Sequence, residues 1–193
     1  MRKLKITELN RISVEEFKEA AKLPLVVVLD NVRSLHNIGS VFRTADAFRV
    51  ERICLCGITA VPPSAEMHKT ALGAELTVDW TYYASTLDAV GELKAKGYTV
   101  LAIEQVEGSR MLDNLVLPEG RYAVVLGNEV KGVGQEVVDC CDGSIEIPQF
   151  GTKHSLNVSV TAGIVIWDFF KQLHRNCLTQ IGHSRYDDNN FYF

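Results

Sequence analysis

The chain has 193 residues, 47% of them hydrophobic and 23% charged, with a net charge of −4. This length suits one domain with a full core and no need of a disulfide staple, and no apolar run approaches the roughly 20 residues of a membrane span. Five cysteines without metal-ligand spacing, and a charged N-terminus with no apolar stretch behind it, point to a reduced cytoplasmic protein that is neither secreted nor zinc-dependent.

The charge is unevenly spread. Residues 1–50 hold nine Lys/Arg against six Asp/Glu, and residues 51–193 hold eleven against eighteen. A local basic excess facing an anion fits this pattern, as does ordinary solvated charge.

In chain order, residues 14–22 read as one helix within an N-terminal extension, 1–24. Residues 25–29 (Leu-Val-Val-Val-Leu) are a β-branched run suited to a strand buried on both faces. Ile38, Val41, Phe42, Ala45 and Phe48 share one side of a helix. Residues 52–56 form a second strand, in which Cys54 and Cys56 face the same way as small buried side chains. Pro62 and Pro63 punctuate the chain before a helix over 65–72 that stops at Gly73, and a helix over 87–96 stops at Gly97. Residues 98–103 and 122–126 are strands, 135–140 a short helix and 144–147 a short strand. Strands alternating with helices predict an α/β fold with a mainly parallel sheet and flanking helices. The segment 155–161 alternates polar and apolar like a strand, yet its continuation to Leu173 is helix-like, and periodicity leaves both readings open. A polar tail is expected over 176–193.

Three stretches stand out: Asn37-Ile-Gly-Ser-Val-Phe-Arg43, Gly127-Asn-Glu-Val-Lys-Gly132 and Ile147-Pro-Gln-Phe-Gly-Thr-Lys-His-Ser-Leu-Asn157. Each follows an apolar run and mixes glycine with uncharged polar groups and a few charges. In open α/β sheets ligands bind at the carboxyl ends of strands, so three such loops imply one composite site. Gly132-Val-Gly134 half-matches a dinucleotide fingerprint, but the third glycine and the ribose-binding acid are missing, so a nicotinamide oxidoreductase is a weaker reading. No Gly-x-Ser-x-Gly elbow marks Ser155 as a nucleophile, and the five histidines have no metal-ligand spacing.

Taken together, in this order and spacing, the three stretches resemble the SpoU/TrmH branch of the SPOUT RNA methyltransferases, over roughly residues 25–173. The resemblance implies S-adenosylmethionine-dependent methyl transfer to a ribose 2′-hydroxyl of tRNA or rRNA, a homodimer, a methyltransferase domain over 25–175 and a C-terminal trefoil knot. It makes 156–173 the last helix. It implies that Arg43, Asn37, Glu129, Ser155 and Asn157 are catalytic. It also implies that Leu126, Gly127, Asn128, Ile147, Ser155 and Leu156 hold the cofactor. Arg33, His36, Lys69, Lys131 and Lys153 are candidate RNA contacts, and no metal is expected. On residue chemistry alone Asn37 and Ser155 could each be a helix cap, and Arg43 could pair with Glu129 to hold two loops together. A catalytically silent RNA-binding dimer of the same fold is the alternative within the resemblance.

Overall fold

The computed structural model describes residues 1–5, 8, 9 and 11–178. Strand β1, Leu23–Asp30, is the apolar run of the sequence, buried almost throughout. Its side chains alternate between two cores. Leu25, Val27 and Leu29 pack on one face of the sheet, Val26 and Val28 on the other. A strand buried this way needs helices on both sides, which a parallel sheet with crossover helices supplies.

The remaining strands are β2 (Val50–Cys56), β3 (Trp80–Tyr83), β4 (Tyr98–Ile103), β5 (Arg110–Met111), β6 (Arg121–Leu126) and β7 (Gly143–Glu146). They pair in the order β3-β2-β1-β6-β4-β7-β5, and every pairing is parallel. The expected parallel α/β architecture is therefore present. The sequence reading missed β3 and β5, one only half-buried and the other two exposed residues, so neither carries an apolar run.

The helices are α1 (Val14–Glu19), α2 (Leu35–Ala47), α3 (Ala65–Ala71), α4 (Ala74–Thr77), α5 (Thr86–Ala95), α6 (Gln135–Cys140) and α7 (Val158–Leu178). α2, α3 and α7 cover the face of Leu25, Val27 and Leu29, while α5 and α6 cover the opposite face. α1 opens with a capping box between Ser13 and Glu16 but ends three residues short of the expected Lys22. Ala20 is already extended, and Pro24 restricts Leu23 to the β region, so the helix cannot run on into β1.

α2 starts at Leu35, earlier than the apolar periodicity indicated, because Ser34 caps it. It packs closely on α3 at Gly39, where a Cβ would overlap Thr70 Oγ1 and the Met67 carbonyl oxygen. The ambiguous segment resolves as helix from Val158. α7 continues through Leu178, across the expected boundary at 175, and the rest of the predicted tail lies outside the described residues.

Candidate active site

β1 and β6 are neighbours, so the loops leaving their carboxyl ends meet. The Glu129 carboxylate, beyond β6, accepts from the backbone N–H groups of Arg33 (3.2 Å) and Ser34 (3.1 Å) and from Asn37 Nδ2 (3.1 Å). It thus lies at the N-terminus of α2, where unpaired N–H groups and the helix dipole favour an anion. Burial alone would raise the Glu129 carboxyl. Donation from backbone N–H groups and from the Asn37 amide outweighs it and holds the group below the usual carboxylate range.

The third loop joins through Asn157. Its Nδ2 donates to Asn37 Oδ1 at 3.2 Å, and its Oδ1 accepts from Ser159 N at 2.9 Å and Ser159 Oγ at 2.7 Å. The result is a one-way amide relay, Asn157 to Asn37 to Glu129. Both ends fix its direction: a backbone N–H can only donate and an ionised carboxylate can only accept. Asn157, accepting from Ser159 N while its carbonyl accepts from Thr161 N, caps α7. Ser155, the other candidate for that cap, lies exposed ahead of the helix. Asn37 is likewise no cap: Ser34 Oγ accepts from its backbone N–H.

The 127–134 loop folds back on itself. Asn128 and Gly132 exchange backbone hydrogen bonds of 2.9 and 3.0 Å. Asn128 Oδ1 accepts from the N–H groups of Val130 and Lys131, and its Nδ2 donates to the Asn31 carbonyl at 2.7 Å. The return is so tight that a Cβ on Gly127 would overlap the Gly132–Val133 peptide, and only glycine tolerates that approach. Leu126 is buried at the floor and Ile147 partly buried, while Val130, Leu156 and Phe150 (98% exposed) present apolar side chains around the loops. Backbone donors and acceptors beside exposed apolar groups suit a ligand with a flat ring and a polar edge. Gln105 Nε2 tethers the 147–157 segment by donating to the His154 carbonyl. Among the described residues, no group of three or more His, Cys, Asp or Glu is placed to hold a metal ion.

Arg43 stands apart. It is exposed on α2, six residues beyond Asn37, which puts it about 9 Å further along the helix and roughly 120° around it. Glu129 bonds to Arg33, Ser34 and Asn37, and among the described residues no ion pair joins it to Arg43. Of the candidate RNA contacts, Lys69 pairs with Glu66 at 2.7 Å and His36 lies 3.6 Å from the same carboxylate. Arg33, Lys131 and Lys153 are exposed. Sequence reasoning missed Ser34 and Asn31. A serine just before an amphipathic helix is a readable cap signal. Asn31, in the left-handed region at φ 55, carried no signal beyond being an asparagine after a strand.

The SpoU rRNA Methylase family matches residues 24–167, a span containing all three motifs. The chain belongs to the SpoU family. Among its relatives is the 23S rRNA (guanosine-2′-O-)-methyltransferase RlmB of Nitrosomonas europaea, 36% identical over 169 residues that cover 86% of this chain and 64% of that protein. The chain thus spans about two-thirds of the length of the curated relatives it matches. Among solved structures, the A. aeolicus TrmH/SpoU tRNA modifying enzyme superposes with a TM-score of 0.75 at 25% identity, covering 85% of this chain and 84% of that one. The AdoMet-bound rRNA methyltransferase from Sinorhizobium meliloti superposes with a TM-score of 0.73 at 28% identity, covering 81% and 60%. No described helix is long and apolar enough to cross a membrane.

Proposed function

We propose that this chain transfers a methyl group from S-adenosylmethionine to a ribose 2′-hydroxyl of tRNA or rRNA. The observation that carries the reading is the relay from Asn157 through Asn37 to Glu129, which links three motifs far apart in sequence beside the 127–134 loop. Names of similar proteins support it: the Nitrosomonas europaea relative is a guanosine 2′-O-methyltransferase, and the Sinorhizobium meliloti structure holds AdoMet.

A bound S-adenosylmethionine supplies a sulfonium whose methyl carbon is already electrophilic. Residues around Leu126, Gly127, Asn128, Ile147, Ser155 and Leu156 would hold it through backbone groups and apolar contacts. The chain's task is then to align the acceptor hydroxyl and ease loss of its proton. Asn37, fixed from both sides, is suited to hold the ribose. A guanidinium does not give up its proton near neutral pH, so Arg43 is suited to bind the substrate phosphate and offset charge growing on the 2′ oxygen. Arg33, His36, Lys69, Lys131 and Lys153 would contact RNA phosphates.

The same reading includes a homodimer, residues 25–175 as the methyltransferase domain, a cytoplasmic location and the trefoil knot. Val160, Ile164 and Trp167 are exposed at helical spacing along α7, an apolar stripe that a second copy would bury. A late strand, β7, enters the sheet between β4 and β5, which suits a knotted C-terminal path.

The test is incubation of the protein with methyl-labelled S-adenosylmethionine and total tRNA or rRNA, then nucleoside analysis. Label in 2′-O-methylnucleosides, absent when the acceptor position carries 2′-deoxyribose, is the expected result. Failure to bind the methyl donor, or label confined to bases, would remove the reading.

A further inference from the structure

β6 lies between β1 and β4, and the register sets Leu126 opposite both Leu29 and Ile103. The next residue on each side is an acid, Asp30 at the end of β1 and Glu104 just beyond β4. The two carboxylates therefore flank Gly127, where the 127–134 loop begins. They also hold its end. Asp30 Oδ2 accepts from Gly134 N at 3.2 Å, and Glu104 Oε2 accepts from Val133 N at 2.9 Å.

Neither contact is incidental to a solvated surface. Asp30 is only 4% exposed, and its other oxygen accepts from Thr86 Oγ1 at 2.6 Å and Asn31 Nδ2 at 2.8 Å. All of these partners are neutral donors. Thr86 is the first residue of α5 and Gly134 precedes α6, so the carboxylate lies where a doubly wound sheet would place a ligand anion. Glu104 uses Oε1 to accept from Gln105 N at 2.9 Å, and a Cβ on Gly132 would overlap its Oε2. Three donors on Asp30 require an acceptor-only group. An asparagine there would turn an NH2 toward at least one N–H or O–H.

Resting on the methyl-donor reading above, the geometry points to Asp30 and Glu104 as a pair of positioning residues that hold the 127–134 loop in the shape that receives S-adenosylmethionine. Each fixes one of two consecutive N–H groups at the loop's end. Neither belongs to the relay that faces the ribose. The pair therefore acts on donor affinity and leaves the handling of the acceptor to Asn37 and Arg43.

The experiment uses the full chain with Asp30→Asn, Glu104→Gln and the double substitution. Four measurements are made: amide hydrogen exchange without ligand, S-adenosylmethionine affinity by calorimetry, steady-state kinetics with donor and RNA varied, and the thermal midpoint. Exchange at Gly134 in Asp30→Asn and at Val133 in Glu104→Gln is expected to rise about tenfold, with Val124 and Val125 unchanged. The donor Kd and its KM are expected to rise about tenfold while the KM for RNA stays at the wild-type value. A lowered thermal midpoint with unchanged donor affinity would make both residues merely structural and overturn the proposal, as would unchanged exchange at both amides. Should Asp30→Asn not fold, the half-buried Glu104→Gln carries the same readouts. If the unsubstituted chain binds no S-adenosylmethionine yet the exchange responds, the donor reading fails and the loop-holding role stands.

Discussion

Asn157 and Asn37, 120 residues apart, are joined by one amide-to-amide hydrogen bond of 3.2 Å, and that bond fixes which way both side chains face. Asn37 has its oxygen bonded to Asn157 and one N–H to Glu129, and its second N–H is the donor that, in the proposed function, addresses the ribose.

Replacing Asn37 with Asp turns an acceptor toward Glu129 and puts two like charges in contact. Loss of one hydrogen bond to a charged group, about 1.5–3 kcal/mol, corresponds to roughly a 10- to 100-fold slower methyl transfer. Single-turnover rates with saturating donor and RNA check this, and a rate within twofold of the unsubstituted protein would exclude Asn37 from the relay's function.

Arg43→Lys keeps the charge and loses the fork that grips a phosphate. Because Arg43 lies about 9 Å further along α2 than Asn37, which meets Glu129, the expected outcome is a fall in kcat of about 100-fold or more with donor affinity unchanged. Calorimetry beside steady-state kinetics separates the two. Near wild-type turnover would end the assignment.

The lowered native pKa of Glu129 gives its contacts a defined pH range. Their contribution is fully present above the ordinary glutamate value of 4.5 and is lost as pH falls through the lower native value. The stability gap between the unsubstituted chain and Glu129→Gln, measured by denaturant unfolding, should therefore be constant near neutrality and close in acid. A gap that widened on acidification would reverse the sign.

Gly39→Ala forces a methyl into Thr70 Oγ1 and the Met67 carbonyl, separating α2 from α3. Overpacking of this kind costs about 1–3 kcal/mol, visible as a lower denaturant midpoint with unchanged slope.

Ile164→Glu puts a charge in the exposed stripe on α7 beside Trp167, which is 49% exposed. Light scattering should show a dimer become a monomer while the monomer keeps its fold by circular dichroism. A dimer that survives unchanged would place the contact elsewhere.

Much of this architecture was legible because buried parallel strands write themselves as apolar runs: residues 25–29, 98–103 and 122–126 all fall within strands. β3 and β5 were not, since peripheral strands need no apolar run to pair. The three motifs could be picked out by composition, and their resemblance to a family named the chemistry. Their joining could not be foreseen in detail. The cap of α7 is local, but Asn157 offers no stronger cap signal than Ser155; whether Arg43 met Glu129, and the pinning of the 127–134 loop by Asp30 and Glu104, depend on strand register, which pairs β1 with β6 nearly a hundred positions away. A lone acid ending an otherwise apolar strand was the one visible trace of that pinning.

The relay also has an order in time. During synthesis Asn37 emerges first, Glu129 far later, and Asn157 last of the three, while β6 has to enter between two strands already made. A growing or broken chain that stops before Asn157 can hold most of the sheet's residues and still lack the final link. Competence thus waits for the third motif, and fragments that retain only the first two should not compete with a chain that carries all three.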